Sequence, residues 1–223
     1  AFIVVAAPKS YLPLALDLKD ASGFADSLVS WLEEEKRVFV MFHNTSEMRP
    51  SGGFLGSFAA ARLKDGSLID LEVRDINDLD REIDLNVIPP KPLQLIVKRW
   101  RTADANWFFD FPTSAVKILE FADSSRLYGE KDFDAAAAVS PKVIGDILAA
   151  IGPLELDGGR LKLDRDNFLV ELQNEIQLNM EKKKAEPKEI LGDFWREIPT
   201  RLKVLKAPEK EMLFTLARDW LDR

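Results

Sequence analysis

The stretch that most restricts the fold lies between residues 38 and 74. Val38-Phe39-Val40-Met41-Phe42 is an unbroken apolar run rich in β-branched and aromatic residues, the mark of a strand covered on both faces. It ends in a polar stretch, His43-Asn44-Thr45-Ser46-Glu47-Met48-Arg49-Pro50-Ser51-Gly52-Gly53-Phe54. Two strands follow, Leu55 to Lys64 and Ser67 to Arg74, around Asp65-Gly66, a pair that supplies the positive φ angles of a tight hairpin. In the second, Ile69, Leu71 and Val73 alternate with Asp70, Glu72 and Arg74, a period of two that delivers Arg74 and Asp75 at the strand end. A buried strand feeding a hairpin must build a sheet.

Helical patterns surround that sheet, so the expected class is α/β (α+β): a central mixed sheet with a β-hairpin, flanked by helices, with a helical C-terminal part. Phe24, Leu28, Trp31 and Leu32 give one apolar face to a helix starting near Ser22. Residues 76–92 are acidic and Pro-terminated and read as a surface loop long enough to act as a flap. Leu93 to Trp100 reads as a short helix. Asp110 ahead of Pro112 marks a helix start, with Val116, Ile118, Leu119 and Phe121 on its core side. Phe133 to Val139 is an Ala-rich strand, and Ser140-Pro141 opens a helix by an N-cap hydroxyl and a first-turn proline. A small hairpin follows around Asp157-Gly158-Gly159. A helix capped by Asp164 or Asp166 then runs over about 167–182, and two more cover 187–205 and 208–222, the last with Trp220 on its apolar side. The resulting plan is an N-terminal segment and helix (1–36), a core domain (37–182) and C-terminal helices (183–223).

A net charge of −7 and a pI near 5.0 argue against a nucleic-acid role. The absence of cysteine excludes disulfides, thiolate metal sites and a Cys nucleophile, and a single histidine leaves no His-rich metal cluster. No window approaches the roughly 20 apolar residues of a membrane span. The chain opens on Ala1 rather than Met, so an upstream membrane anchor is expected to precede it.

Arg49, Arg74 and Arg101 fall at the ends of three separate elements, beside Gly52-Gly53, Asp75 and Asp104. If those ends converge they form an anion site, because a guanidinium fork matches phosphate oxygens and glycine amides add donors. Asp75, Asp104 and Asp110 are then candidate oxygen ligands for a divalent cation such as Mg²⁺. The alternative is that each arginine pairs with a neighbouring carboxylate and staples loops. Glu47 and Asp104 are a further acid/base candidate pair. His43 at the strand end is either a base or a satisfied structural residue. Trp100, Trp107, Phe108, Phe109 and Phe111 are core packing or an aromatic platform for lipid or sugar. No phosphate-binding Gly-x-x-x-x-Gly-Lys-Ser/Thr loop is present.

Two motifs are specific enough to carry a resemblance. Asn44-x-x-Glu47-x-Arg49-Pro50-Ser51-Gly52-Gly53-Phe54-Leu55-Gly56-Ser57 and Asp104-x-Asn106-Trp107-x-x-Asp110-Phe111-Pro112-x-Ser114-Ala115 resemble a bacterial family known as domain of unknown function 4012. Asp134 to Val139 and Gly152-Pro153 extend the likeness, which covers about residues 37–180. That family implies no activity. More distantly, the order of parts is similar to the LytR-CpsA-Psr domain, which transfers polyprenyl-pyrophosphate-linked glycopolymers onto the bacterial cell wall. An Arg-Ser-Asp motif there is similar to Arg49-Pro50-Ser51, with Gly52-Gly53 here in place of the Asp. A strand ending there in Pro-Arg-Asp is similar to Val73-Arg74-Asp75, and an Asn-bearing loop to Asp104-Ala105-Asn106.

That likeness implies an extracytoplasmic, membrane-anchored domain that binds or transfers a polyprenyl-(pyro)phosphate-linked glycan. Arg49, Arg74 and Asp75 would be catalytic, and Asp75 and Asp104 would place Mg²⁺. Asn44, Glu47, Ser51, Gly52, Gly53, Arg101, Asp104, Asn106, Trp107 and Asp110 would line the substrate. The rival expectation is a non-catalytic envelope module that holds a glycan or protein partner through residues 100–111.

Overall fold

The computed structural model describes residues 33–65, 67–129, 133–183 and 187–221. The N-terminal segment, the helix expected from Ser22 and Gly66 of the hairpin turn lie outside the described residues, and so does the side chain of Trp220. The chain divides into two compact units, with the boundary between Ala138 and Val139.

The first unit is built on a four-stranded mixed sheet. Its strands are β1 (Lys36–Asn44), β2 (Phe54–Lys64), β3 (Ser67–Asp75) and β4 (Ala135–Val139), in the order β3-β2-β1-β4. β1 and β2 pair antiparallel from Lys36↔Leu63 to Asn44↔Phe54, with a bulge between Phe42 and His43. β2 and β3 pair antiparallel from Ser57↔Asp75 to Lys64↔Ser67, and Asp65 at the turn takes φ 49°, as a tight hairpin requires. Alternation sorts the side chains. Phe39, Met41, Phe58, Ala60, Ala136 and Ala138 join one core, while Val38, Ala61 and Ala135 join a smaller cluster with Val40, Leu63 and Leu71. The run 38–42 within β1 is apolar without a break because both faces of the strand have a cluster to join. Phe39 stacks on Phe58 with centroids 4.6 Å apart and meets Phe133 edge-on at 5.2 Å. Burying each such ring stabilises the sheet by about 1.5–3 kcal/mol before the cost of ordering it. Ala136 and Ala138 of β4 are the small members of the same core as these rings.

The expected surface loop at 76–92 begins instead as a helix, α1 (Ile76–Arg81). Asp75 caps it by accepting from the Asn77 amide at 2.8 Å, and Ile76 and Leu79 are fully buried beneath it. One and a half turns is too short for periodicity to register. The helix expected at 93–100 is replaced by a 3₁₀ turn at Lys91–Leu95 followed by irregular chain. Pro90 and Pro92 set the turn, and the Trp100 amide is drawn to the Val87 carbonyl (2.8 Å) rather than to a helical partner. A second 3₁₀ turn spans Thr102–Asp104. α2 (Phe111–Asp123) then starts where expected, with the Asp110 carboxylate accepting from the Thr113 amide at 2.9 Å.

The second unit contains α3 (Pro141–Ile151), the hairpin β5 (Leu154–Leu156) and β6 (Leu161–Leu163), and the helices α4 (Phe168–Glu181), α5 (Glu189–Lys203) and α6 (Ala207–Leu221). Leu148, Leu154, Leu163, Phe168, Leu172, Ile190, Phe194 and Ile198 share its core, and Phe168 stacks on Phe194 at 6.1 Å. Ser140 precedes α3 without a side-chain capping bond, so the proline alone supplies that start. Asn167 occupies the cap position of α4, and Asp164 accepts from the amides of Asp166 (2.9 Å) and Asn167 (3.0 Å) just ahead of it. Asp146 is buried on α3 between Lys142 (2.6 Å) and Arg165 (3.3 Å). Among the described residues no helix is long and apolar enough to cross a membrane.

Candidate functional site

The loop between β1 and β2 is held from within by its own backbone. Asn44 Oδ1 accepts from the Ser46 amide at 3.0 Å, and the Glu47 carbonyl accepts from the Phe54 amide at 3.0 Å, so the loop closes on the strand pair. Gly52 and Gly53 then take φ 115° and 138°, where side chains are strained. A Cβ on Gly53 would stand 2.6 Å from the Asn44 carbonyl oxygen, so this position closes only around a hydrogen.

The second motif meets the first here. Asn106 is fully buried, and its Nδ2 donates to the Gly53 carbonyl. Ser51 Oγ donates to the Asn106 carbonyl at 3.2 Å. Ser51, Gly53 and Asn106 thus form one buried latch. The turn that carries Asn106 is itself fixed from α1: the buried Asp80 carboxylate accepts from the Thr102 amide at 2.7 Å and the Ala103 amide at 3.4 Å. Arg99 donates to the carbonyls of Asp80 (2.8 Å) and Ile83 (2.9 Å), and Trp100 Nε1 donates to the Asp104 carbonyl at 3.2 Å. On the far side of the motif, Ser114 is buried on α2 and accepts from the Phe108 amide at 3.2 Å.

The remaining candidates separate. Arg49 donates to the Met48 carbonyl at 3.0 Å and lies 5.2 Å over the Phe54 ring, with no carboxylate partner among the described residues. Asn44 Nδ2 reaches Glu47 at 3.4 Å, a long and exposed contact. Arg74 pairs with Glu72 through Nε at 2.7 Å, and Glu72 accepts from the Tyr128 hydroxyl at 3.2 Å. Burial raises the Tyr128 phenol well above its ordinary range, and the adjacent Glu72 adds to the effect. Arg74 lies opposite Phe58 in the sheet, four residues along β2 from the loop end at Phe54, roughly 13 Å of strand. Arg101 pairs with Asp104 at 3.3 Å. Asp75 and Asp110 both cap helices, and its bonds to Thr113 hold the Asp110 carboxyl below the usual carboxylate range. Thus no shared partner joins Arg49, Arg74 and Arg101 among the described residues. No group of three or more His, Cys, Asp or Glu side chains placed to hold a metal occurs among them either.

His43 is buried next to the bulge, 6.3 Å from the Phe111 ring centroid, and its Nε2 has no hydrogen-bond partner among the described residues. Desolvation lowers its pKa to about 4, so the imidazole is neutral at physiological pH. Trp107 and Phe108 are partly buried against the main core, while Phe109 is 92% exposed and Met48 90%. Sequence reasoning missed Asp80 and Tyr128, and it gave no role to Ser114, quoted in the second motif, or to Glu72, read only as part of the strand alternation. For Asp80 the available signal was a carboxylate flanked by Leu79 within a run otherwise read as solvated.

The comparison with curated proteins found no match. A family model described as "Protein of unknown function (DUF4012)" matches residues 33–176, which takes in the whole strand-loop-hairpin and both halves of the latch. With most of its length under that model, the chain belongs to the DUF4012 family.

Proposed function

We propose that this domain is a non-catalytic, extracytoplasmic binding module, and that it holds a protein partner through the two loops joined by the Ser51–Gly53–Asn106 latch. The observation that carries this reading is the contrast at the latch. Its side-chain donors, Asn106 Nδ2 and Ser51 Oγ, are spent inward on backbone carbonyls, whereas Met48 and Phe109, each three residues from a latch residue, stand 90% and 92% exposed. Met, aromatic residues and Arg are the types enriched at protein interfaces, and Arg49 is held at hand over Phe54. A rigid base under exposed anchors reduces the ordering cost of association. The extracytoplasmic placement rests on the likeness to LytR-CpsA-Psr domains.

A second reading, binding or transfer of a polyprenyl-(pyro)phosphate-linked glycan, is favoured by Arg49, which has no carboxylate partner among the described residues and stands beside Gly52 and Gly53. In that reading Arg74, Asp75 and Mg²⁺ would also have to reach the phosphate. The two readings separate in one pair of experiments. Titration with a polyprenyl pyrophosphate, with and without Mg²⁺, is expected to give no saturable binding. A photo-crosslinking residue at position 48 or 109 is expected to give a discrete protein adduct that the same residue at exposed Gln173 does not. Mg²⁺-dependent binding that is lost in both Arg74→Gln and Asp75→Asn would overturn the binding-module reading.

A further inference from the structure

A separate surface lies in the chain between Val87 and Trp100. This segment leaves and returns at one point, because the Trp100 amide donates to the Val87 carbonyl at 2.8 Å. Arg99 clamps its base to the carbonyls of Asp80 and Ile83, and Val87 and Leu93 pack on the main core. Inside it, the amides of Leu93 and Gln94 bond the Pro90 carbonyl, and the Gln94 side chain donates to the Pro89 carbonyl at 2.8 Å. The segment is therefore a compact, anchored loop with Pro89, Pro90 and Pro92 stiffening it.

The loop carries bare aliphatic side chains. Leu95 is 92% exposed, Ile96 80% and Ile88 76%. Three large exposed aliphatic side chains within one short anchored loop are more than the scattered apolar exposure of ordinary surfaces. The charge around them runs against that of the chain. Residues 87–100 contain Lys91, Lys98 and Arg99 and no acidic residue, within a protein of net charge −7. Lys91 and Lys98 are exposed and have no acidic partner among the described residues.

We infer that this loop is a lipid-contacting element: Ile88, Leu95 and Ile96 enter the interfacial region of an anionic bilayer, and Lys91 and Lys98 lie at the headgroup level. Aliphatic tips flanked by lysines match that environment from both sides, since apolar burial and attraction to anionic lipid act on adjacent residues. Protein interfaces are enriched in aromatic residues, whereas the large exposed apolar side chains of this loop are all aliphatic. The inference is independent of the latch and of what the latch binds.

Co-sedimentation of the full chain with phosphatidylcholine vesicles containing phosphatidylglycerol, and with phosphatidylcholine vesicles alone, tests it. Binding is expected to the anionic vesicles only and to weaken as salt rises. Lys91→Gln and Lys98→Gln should each reduce the partition coefficient about five-fold. Leu95→Ser/Ile96→Ser should remove binding while circular dichroism stays unchanged, because both side chains are already in water. Failure of the wild type to bind anionic vesicles, or binding that survives Leu95→Ser/Ile96→Ser, would overturn the inference. So would wild-type self-association that the double variant abolishes without any vesicle binding, which would give the loop to a second copy.

Discussion

Replacing Gly53 by alanine puts the geometry of the first motif to a direct test. Gly53 takes φ 138°, and an added Cβ would lie 2.6 Å from the oxygen and 2.8 Å from the carbon of the Asn44 carbonyl. Both are backbone atoms of a paired strand end, so no rotamer change can relieve the contact. The backbone strain costs about 1–3 kcal/mol. Shifting packed chain to make room costs about 1–3 kcal/mol more. Gly53→Ala should therefore destabilise the protein by about 2–6 kcal/mol, a large part of an ordinary domain's stability. Gly158→Ala is the reference, because Gly158 has φ 64° but nothing within 4 Å of its Cβ. It should cost only about 1–2 kcal/mol. Gly52→Ala should fall between the two, since its Cβ would stand 3.3 Å from His43 Nδ1, a side chain that can yield a little. Urea unfolding of the three variants, followed by circular dichroism and by tryptophan fluorescence, gives the ranking. Equal costs for Gly53→Ala and Gly158→Ala would refute the close-approach argument.

Three further outcomes are expected. His43 resists protonation down to about 4 in the folded state but takes a proton near 6.5 when unfolded. The unfolded state therefore binds more protons between those values, and stability falls by about 3 kcal/mol as pH drops from 6.5 to 4; His43→Phe should flatten that part of the stability–pH curve. Asn106→Ala leaves the Gly53 carbonyl without its donor and should cost about 2 kcal/mol, while Asn106→Asp, which buries a carboxylate against a carbonyl, should cost more; chemical denaturation ranks the two. Asp80→Ala strands the Thr102 and Ala103 amides and should cost about 2–4 kcal/mol, with faster hydrogen exchange confined first to residues 101–106.

The sheet was legible because its signals are local. The apolar run of β1, the alternation of β3 and the Asp65-Gly66 turn each depend on neighbours in the chain, and the Asp110 cap is read from three residues. The latch was not legible as a latch. Asn106 and Gly53 are 53 residues apart, and nothing in either motif says that its polar atoms point at the other rather than at a ligand. The arginines show the same limit. Arg74 and Arg101 stand at element ends, as read, but each has a carboxylate two or three residues away that reaches it first. Proximity in sequence was the better guide than convergence of strand ends. Asp80 was missed because the helix that buries it is one and a half turns long.

The core of the second unit bears on how such a protein should be cut for expression. The family pattern stops at residue 176, within α4, yet Phe168 and Leu172 on that helix pack with Ile190, Phe194 and Ile198 of α5, which lies wholly beyond it. A fragment trimmed to the recognisable pattern would keep one side of a stacked Phe pair and discard the other, leaving a greasy face where the intact chain has an interior. Those α5 positions ask only for apolar volume at helical spacing, a demand that many letters can meet. The piece that folds is therefore longer than the piece that can be recognised, and fragments ending past Lys203 are the ones to make.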